Sequence, residues 1–255
     1  MRLGAAPREW DAATYDRVSS PQVAWAAGVL DRLALEGGET VLDAGCGSGR
    51  VTRALLERLP RGRVVAVDAS EAMVETARAA LDERATVLRS DLAELHLDEP
   101  VDAVFSNAVF HWVPDHPRLF ARLFETLTPG GRLMAQCGGE GNIAAFHAVA
   151  AAVGEREPFA KALAGWRGPW RFAGAEDTAA LLEEAGFEEV RCWLEPWPVR
   201  PDEPLAFVET VCLGHHLDRL RPEQRRPFAE AVLEAVPEPL TLDYVRLNID
   251  ARRPA

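Results

Sequence analysis

The seven residues Asp43-Ala44-Gly45-Cys46-Gly47-Ser48-Gly49 put glycine at every second position, after a short apolar run and before a stretch of helical periodicity. Glycines so spaced let a backbone turn sharply through positive φ and pass close to a ligand, because no Cβ intervenes. The loop reads as a cradle. A nicotinamide-type fingerprint would require glycine at position 50, where Arg50 stands, so an NAD-linked oxidoreductase is the weaker reading.

Two acids extend the cradle. Asp68, followed by Ala69, ends the next apolar run, and an ionised carboxylate there can accept from both hydroxyls of an adenosine ribose while repelling a 2′-phosphate. Ser90-Asp91-Leu92 follows the third such run, so Asp91 is placed to accept from the exocyclic amine of an adenine whose faces pack against Met73 or Leu92. Taken alone, Asp91 reads equally as a helix or turn cap, and its adenine role rests on the trio.

His111 and Trp112 follow the fourth run, where ligands bind in open α/β sheets. His111 there either positions a substrate through a hydrogen bond or removes a proton, and Trp112 is either substrate contact or core. Further on, Arg171 has the fork geometry for a carboxylate, beside Trp166, Arg167 and Trp170, with an exposed arginine among packing tryptophans as the alternative. The adjacent His215-His216 point apart on a helix, and Cys46, Cys137, Cys192 and Cys212 lack ligand spacing and read as small buried hydrophobes, so no metal site is expected.

The elements that must position these residues alternate. Helical spacing over 21–36 leads to a strand at Thr40–Ala44, a helix at Arg50–Leu59, a strand at Val64–Val67, a helix capped by Ser70 and running to Leu81, and a strand at Ala85–Leu88. Val101–Phe105 predicts a fourth strand, Pro114–Leu127 a helix, Pro129-Gly130-Gly131 a turn and Arg132–Gln136 a fifth strand. This βαβα order predicts an α/β, doubly wound, mostly parallel sheet. Residues 138–175 read as an insertion or cap with a helix at Ile143–Val153, then come a helix at Glu176–Ala185 and β-type runs at Phe187–Trp197 and Leu240–Ile249. Between those runs, 203–236 reads as two or three helices punctuated by Pro222, Pro227 and Pro237.

Over residues 40–137 the chain resembles the class I S-adenosylmethionine-dependent methyltransferases, with VLDAGCGSGR similar to their first motif, Asp68 to their ribose acid, Asp91 to their adenine contact, and Asn107-Ala108 to their loop beside the methionine moiety. FSNAVFHWVPDHPRLF followed by LTPGGRLMAQ resembles the trans-aconitate methyltransferase branch, in which a glutamine stands near the place of His111. The resemblance implies a Rossmann-like seven-stranded sheet whose last strand is antiparallel, and a small helical cap. It implies a single domain: a lid and leading helix at 1–36, a cofactor core at 40–137, cap elements at 138–175 and 199–236, and closing strands at 176–198 and 237–255. It further implies S-adenosylmethionine as cofactor, S-adenosylhomocysteine as product, and a cofactor set of Tyr15, Asp43, Ala44, Gly45, Gly47, Gly49, Asp68, Ala69, Met73, Ser90, Asp91, Leu92, Asn107 and Ala108. Tyr15 belongs to an aromatic segment, Trp10–Asp16, that is either such a lid or a packing anchor. A small carboxylic acid methylated on oxygen would then meet His111, Trp112 and Arg171. Two other readings stay open: methylation of another small metabolite at N, O or C with His111 as base, and a non-catalytic S-adenosylmethionine-binding regulatory module.

The rest of the composition limits partners. With 255 residues, 48% hydrophobic and 27% charged, the chain can bury a large core, and its net charge of −12 repels phosphate backbones and anionic membranes. Nucleic acid and membrane partners are not expected, and the absence of an apolar leader or spanning run predicts a cytoplasmic location.

Overall fold

The computed structural model describes residues 20–255, so Tyr15 and the Trp10–Asp16 segment lie outside the described residues. Helix α1 (Ser20–Leu33) leads into β1 (Thr40–Ala44), followed by α2 (Arg50–Glu57), β2 (Arg63–Asp68), α3 (Glu71–Ala80), β3 (Ala85–Arg89), β4 (Val101–Asn107), α4 (His116–Thr126) and β5 (Leu127–Gly138). Then come α5 (Ala144–Gly154), α6 (Ala160–Leu163), α7 (Ala175–Glu184), β6 (Glu188–Pro196), α8 (Pro204–Phe207), α9 (Gly214–Arg219), α10 (Pro222–Ala235) and β7 (Val245–Arg252).

The sheet order is β3-β2-β1-β4-β5-β7-β6. Strands β1 to β5 pair in parallel, and β7 runs antiparallel between β5 and β6, as the resemblance implies. Alternate residues of one strand feed different cores: Leu42 and Val104 join Leu119, Phe120, Leu123 and Leu182 on one face, while Val41 and Phe105 join Val29, Leu33 and Leu55 on the other. A sheet covered on both faces needs apolar residues at nearly every position of its central strands, which is the pattern of these runs. A third cluster, including Phe146, Phe159, Phe207 and Phe228, joins the helices of 138–175 to those of 199–236, and Trp25 of α1 packs into it.

Several element boundaries differ from expectation. The predicted turn at 129–131 lies inside β5, where Gly130 takes φ 76° and the register against β4 shifts between Val101 and Ala103, so the glycines serve a bulge. Helix α4 starts only at His116, because Asp115 caps it by accepting from the Arg118 amide at 3.1 Å. The last strand starts five residues late, since Leu242 spends its backbone bonds on Val199, and it continues to Arg252, with Asp250 held by Arg32 at 2.9 Å. Pro227 does not punctuate, because α10 runs through it. Of the cysteines, Cys46, Cys137 and Cys212 are buried and Cys192 is half-buried.

Candidate cofactor and acceptor site

The carboxyl ends of β1, β2, β3 and β4 bring the glycine loop, Asp68, Asp91 and Asn107 to one edge of the sheet. The loop is positioned by its backbone: the amides of Gly45 and Cys46 both donate to the Val67 carbonyl, at 2.8 and 2.9 Å. Gly45, Gly47 and Gly49 all take positive φ, at 94°, 54° and 85°. Their surroundings differ. A Cβ on Gly45 would lie 2.1 Å from Val109 Cγ2, and one on Gly49 would lie 3.2 Å from the Leu81 side chain, whereas one on Gly47 would meet nothing within 4 Å. Gly45 and Gly49 therefore serve close packing of the fold, while Gly47 leaves the loop with the open cradle that a ligand needs.

Asp68 ties the loop to the next unit. Its Oδ2 accepts from the Gly47 amide at 2.9 Å and its Oδ1 from the Ser70 amide at 2.9 Å, where Ser70 caps α3 by accepting from Met73. Asp43 is buried behind the loop and accepts from Thr52 Oγ1 at 2.6 Å. Burial pushes its pKa up to about 7, opposed by the Thr52 bond and reinforced by the charge of Asp68. Asp91 is exposed and caps a short 3₁₀ turn through Oδ1, which accepts from the Ala93 amide at 2.9 Å. The capping alternative is thus realised on one oxygen. Met73 and Leu92 are almost wholly buried, and Ser90 Oγ donates to the Asp91 carbonyl at 3.1 Å.

Beyond β4, Ala108 takes the left-handed conformation at φ 63° and its amide donates to the Gln136 carbonyl at 2.7 Å. For a residue with a Cβ that conformation is strained, as is common beside functional sites. The strained step delivers a 3₁₀ turn at Phe110–Trp112. His111 is buried in it, with Nδ1 accepting from the Gly138 amide at 3.3 Å and its ring 4.7 Å from Trp112 and stacked at 5.8 Å on Phe172. Because an amide N–H can only donate, Nδ1 carries the lone pair and the proton of the neutral ring sits on Nε2. Burial, with the charges of Arg246 and His116 added, holds the pKa well below the usual histidine range.

Trp112 joins an aromatic wall contributed by the cap, with Trp170 at 6.3 Å and His215 at 5.0 Å. His147 stacks on Trp170 at 4.5 Å, and burial lowers its pKa to about 4. The Arg171 amide donates to the His111 carbonyl at 2.8 Å and its guanidinium to the Pro114 carbonyl at 3.1 Å, so it borders the same turn. Phe172, Gly138 and Arg246, which sequence reasoning missed, also converge here. A lone arginine within the apolar run Tyr244-Val245-Arg246-Leu247 was the available signal.

Comparison with known proteins gives the family. Residues 41–131 match the family model described as a methyltransferase domain. The chain is 34% identical to the trans-aconitate 2-methyltransferase of Methylobacterium radiotolerans over 89% of each chain, and 32% identical to that of Azoarcus sp. (strain BH72) over 96% of this chain and 91% of the other. In fold it is similar to Haemonchus contortus phosphoethanolamine N-methyltransferase 2 bound to phosphomonomethylethanolamine and S-adenosylhomocysteine, with a TM-score of 0.63 and 18% identity, covering 96% of this chain and 57% of that one. The chain therefore belongs to the class I S-adenosylmethionine-dependent methyltransferases, in the family of small-molecule methyltransferases that includes the trans-aconitate 2-methyltransferases.

Proposed function

We propose that the chain methylates a carboxylate oxygen of a small organic acid, and that His111 orients the acceptor as a hydrogen-bond donor without removing a proton. S-adenosylmethionine supplies, when bound, a methyl group on a positively charged sulfur with a neutral thioether as leaving group. The cradle at Gly47 and the acid at Asp68 fit such a nucleoside. On this reading Asp68 receives the ribose hydroxyls and the second oxygen of Asp91 the adenine amine. Met73, Ser90 and Leu92 border the base, Ala69 and Tyr15 complete the pocket, and Asn107 and Ala108 border the methionine moiety. Asp43, Ala44, Gly45 and Gly49 hold the loop in shape.

The observation that carries the acceptor assignment is the bond from the Gly138 amide to His111 Nδ1. It leaves Nε2–H as the polar atom the ring can offer, and a donor suits an anionic acceptor. A carboxylate with an ordinary pKa near 4 is already ionised at neutral pH, so no base is needed. Attack only requires the oxygen to be held in line and water to be excluded, which the aromatic wall of Trp112 and Trp170 and the bordering Arg171 favour. The relatives named for trans-aconitate supply the same substrate class. The test is to incubate the protein with labelled cofactor and a panel of small acids, amines and phenols. Label released as methanol by mild alkali marks a methyl ester and supports the reading, whereas label stable to alkali on an amine, phenol or carbon overturns it.

A further inference from the structure

The turn that carries His111 is held in place from outside. Residues Phe110–Trp112 form a 3₁₀ turn, closed by the Val113 amide donating to the Phe110 carbonyl at 3.0 Å. So short a turn is intrinsically weak. Other elements pin it: the Gly138 amide of β5 donates to His111 Nδ1 at 3.3 Å, and the Arg171 amide of the cap donates to the His111 carbonyl at 2.8 Å. From α4, Nε2 of its first residue, His116, donates to the Phe110 carbonyl at 3.1 Å. The first two donors are backbone amides, which any residue but proline supplies. The third is a side chain, so it depends on the residue at 116.

Packing alone does not account for that histidine. Its ring is 1% exposed and packs on Phe120, with centroids 5.5 Å apart. Because a carbonyl oxygen can only accept, Nε2 carries a proton. Burial, opposed by the Phe110 bond, holds the pKa below the ordinary histidine value, so at pH 7 the ring is neutral and Nδ1 keeps its lone pair. Nδ1 is buried and has no hydrogen-bond partner among the described residues. A buried acceptor left unpaired destabilises a fold, and a phenyl ring would fill the same space without one. What the imidazole adds is the bond to Phe110. Phe110 is itself anchored, 1% exposed and edge-on to Phe120 at 6.0 Å, so the clamp joins two groups that both pack on α4.

We propose that His116 is a positioning residue for methyl transfer: by clamping the Phe110 carbonyl it fixes the turn on which His111 presents its Nε2–H to the acceptor. The proposal rests on the reading above that His111 meets the acceptor. A clamp of this kind acts on rate, since displacing a reacting group by about 1 Å can lose about a hundredfold, whereas cofactor binding at the glycine loop is left alone.

The experiment compares wild type with His116→Phe, which keeps a buried ring and loses the donor, and with His116→Gln, whose amide nitrogen reaches the place of Nε2. The first readout needs no acceptor: hydrogen exchange of the Gly138 amide in the ligand-free protein, which reports how firmly His111 Nδ1 is held. His116→Phe should speed that exchange about tenfold or more while the β1 amides stay protected, and His116→Gln should restore it. The second readout is single-turnover methyl transfer to trans-aconitate, or to the best acceptor of the panel above. His116→Phe should lower the rate at saturating acceptor about ten- to a hundredfold, with the S-adenosylhomocysteine Kd unchanged to within about twofold, and His116→Gln should recover most of the rate. In a His111→Ala background the same substitution should cost little more, because a residue that acts through His111 is not additive with it. Unchanged Gly138 exchange, or an unchanged rate, in a folded His116→Phe overturns the proposal. A loss that His116→Gln does not restore and that adds in full to His111→Ala, the mark of a merely structural residue, overturns it too. If His116→Phe fails to fold, His116→Asn, whose amide lies at the place of Nδ1 and short of Phe110, is compared with His116→Gln under the same expectations. A loss in His111→Ala with none in His116→Phe removes His116 alone, whereas full activity in His111→Ala removes the reading of His111 itself.

Discussion

Asp68 Oδ2 accepts a hydrogen bond from the Gly47 amide at 2.9 Å, so a carboxylate from the end of β2 is built into the glycine loop at the end of β1. Its Oδ1 accepts from the Ser70 amide. A carboxylate offers about four acceptor positions, so the same group can brace the loop and receive ribose hydroxyls together. Asp68→Ala should weaken S-adenosylhomocysteine binding by about 1.5–3 kcal/mol, the range for hydrogen bonds to a charged acceptor. Calorimetry checks this, and an unchanged Kd in a folded variant removes Asp68 from the site.

Gly45 and Gly47 should fail in different ways when each gains a methyl group. A Cβ on Gly45 collides with Val109, and its φ of 94° is also forbidding, so Gly45→Ala should lower the melting temperature of the ligand-free protein sharply. Gly47→Ala meets open space and carries only the left-handed penalty of about 1–2 kcal/mol. It should keep the fold and lose cofactor affinity, because the new Cβ projects into the cradle. Thermal melts with and without S-adenosylhomocysteine separate the two. Equal loss of apo stability in both variants would contradict the division of labour.

What the sequence makes legible follows from which constraints are local. The glycine loop, Asp68 and Asp91 stand out because each follows a short apolar run, and a parallel sheet brings consecutive strand ends to one edge. The boundaries that move are those decided by distant partners: Leu242 leaves the last strand for Val199, and Asp250 stays in it because Arg32, far away in sequence, pairs with it. Pro227 reads as a helix stop, yet only its own missing donor is lost within α10, and the helix continues. Arg246 is hidden for the same kind of reason. Its place in an apolar run is visible locally, but its neighbours Gln136, Trp25 and Gly138 come from other strands and helices, so the sequence alone does not join the cation to the site.

Asp43 should make stability depend on pH. Its pKa is raised from an ordinary carboxylate value to about 7 in the folded protein, with burial as the largest cause. A raised acid holds its proton more tightly when folded, so its contribution is fully present below about pH 4, is lost as pH rises towards 7, and does not change further above that. At about 1.4 kcal/mol per pKa unit the span is on the order of 4 kcal/mol. Asp43→Asn, which can still accept from Thr52, should remove this component. The difference in unfolding free energy between variant and wild type, measured from pH 4 to 8, should therefore grow in favour of the variant as pH rises. A difference independent of pH would show that Asp43 titrates normally.

The last prediction concerns His111. A histidine base of ordinary pKa would produce a rate that rises through about pH 6.5. Burial and the charge of Arg246 hold His111 well below that range, so neither role yields an inflection near neutrality, and the pH profile of single-turnover methyl transfer should be nearly flat from pH 6 to 8.5. The roles are separated by substitution instead. Gln at position 111 offers one acceptor and one donor group, as the neutral ring does with Nδ1 facing the Gly138 amide and Nε2–H facing outward. It cannot take up a proton at neutral pH. If His111 only orients the acceptor, His111→Gln should retain the single-turnover rate to within about tenfold, while His111→Ala, which leaves the Gly138 amide without its acceptor, should lose more. General acid–base catalysis is worth about 10²–10⁴-fold, so a loss of a hundredfold or more in a folded His111→Gln that still binds S-adenosylhomocysteine would assign the proton to the histidine. The acceptor would then be a group that must be deprotonated, an amine, hydroxyl or carbon acid. Nitrogen NMR of the ring gives an independent reading: a neutral imidazole protonated on Nε2 from pH 6 to 8.5 is expected, and an Nδ1–H tautomer would break the link between Gly138 and the donor role.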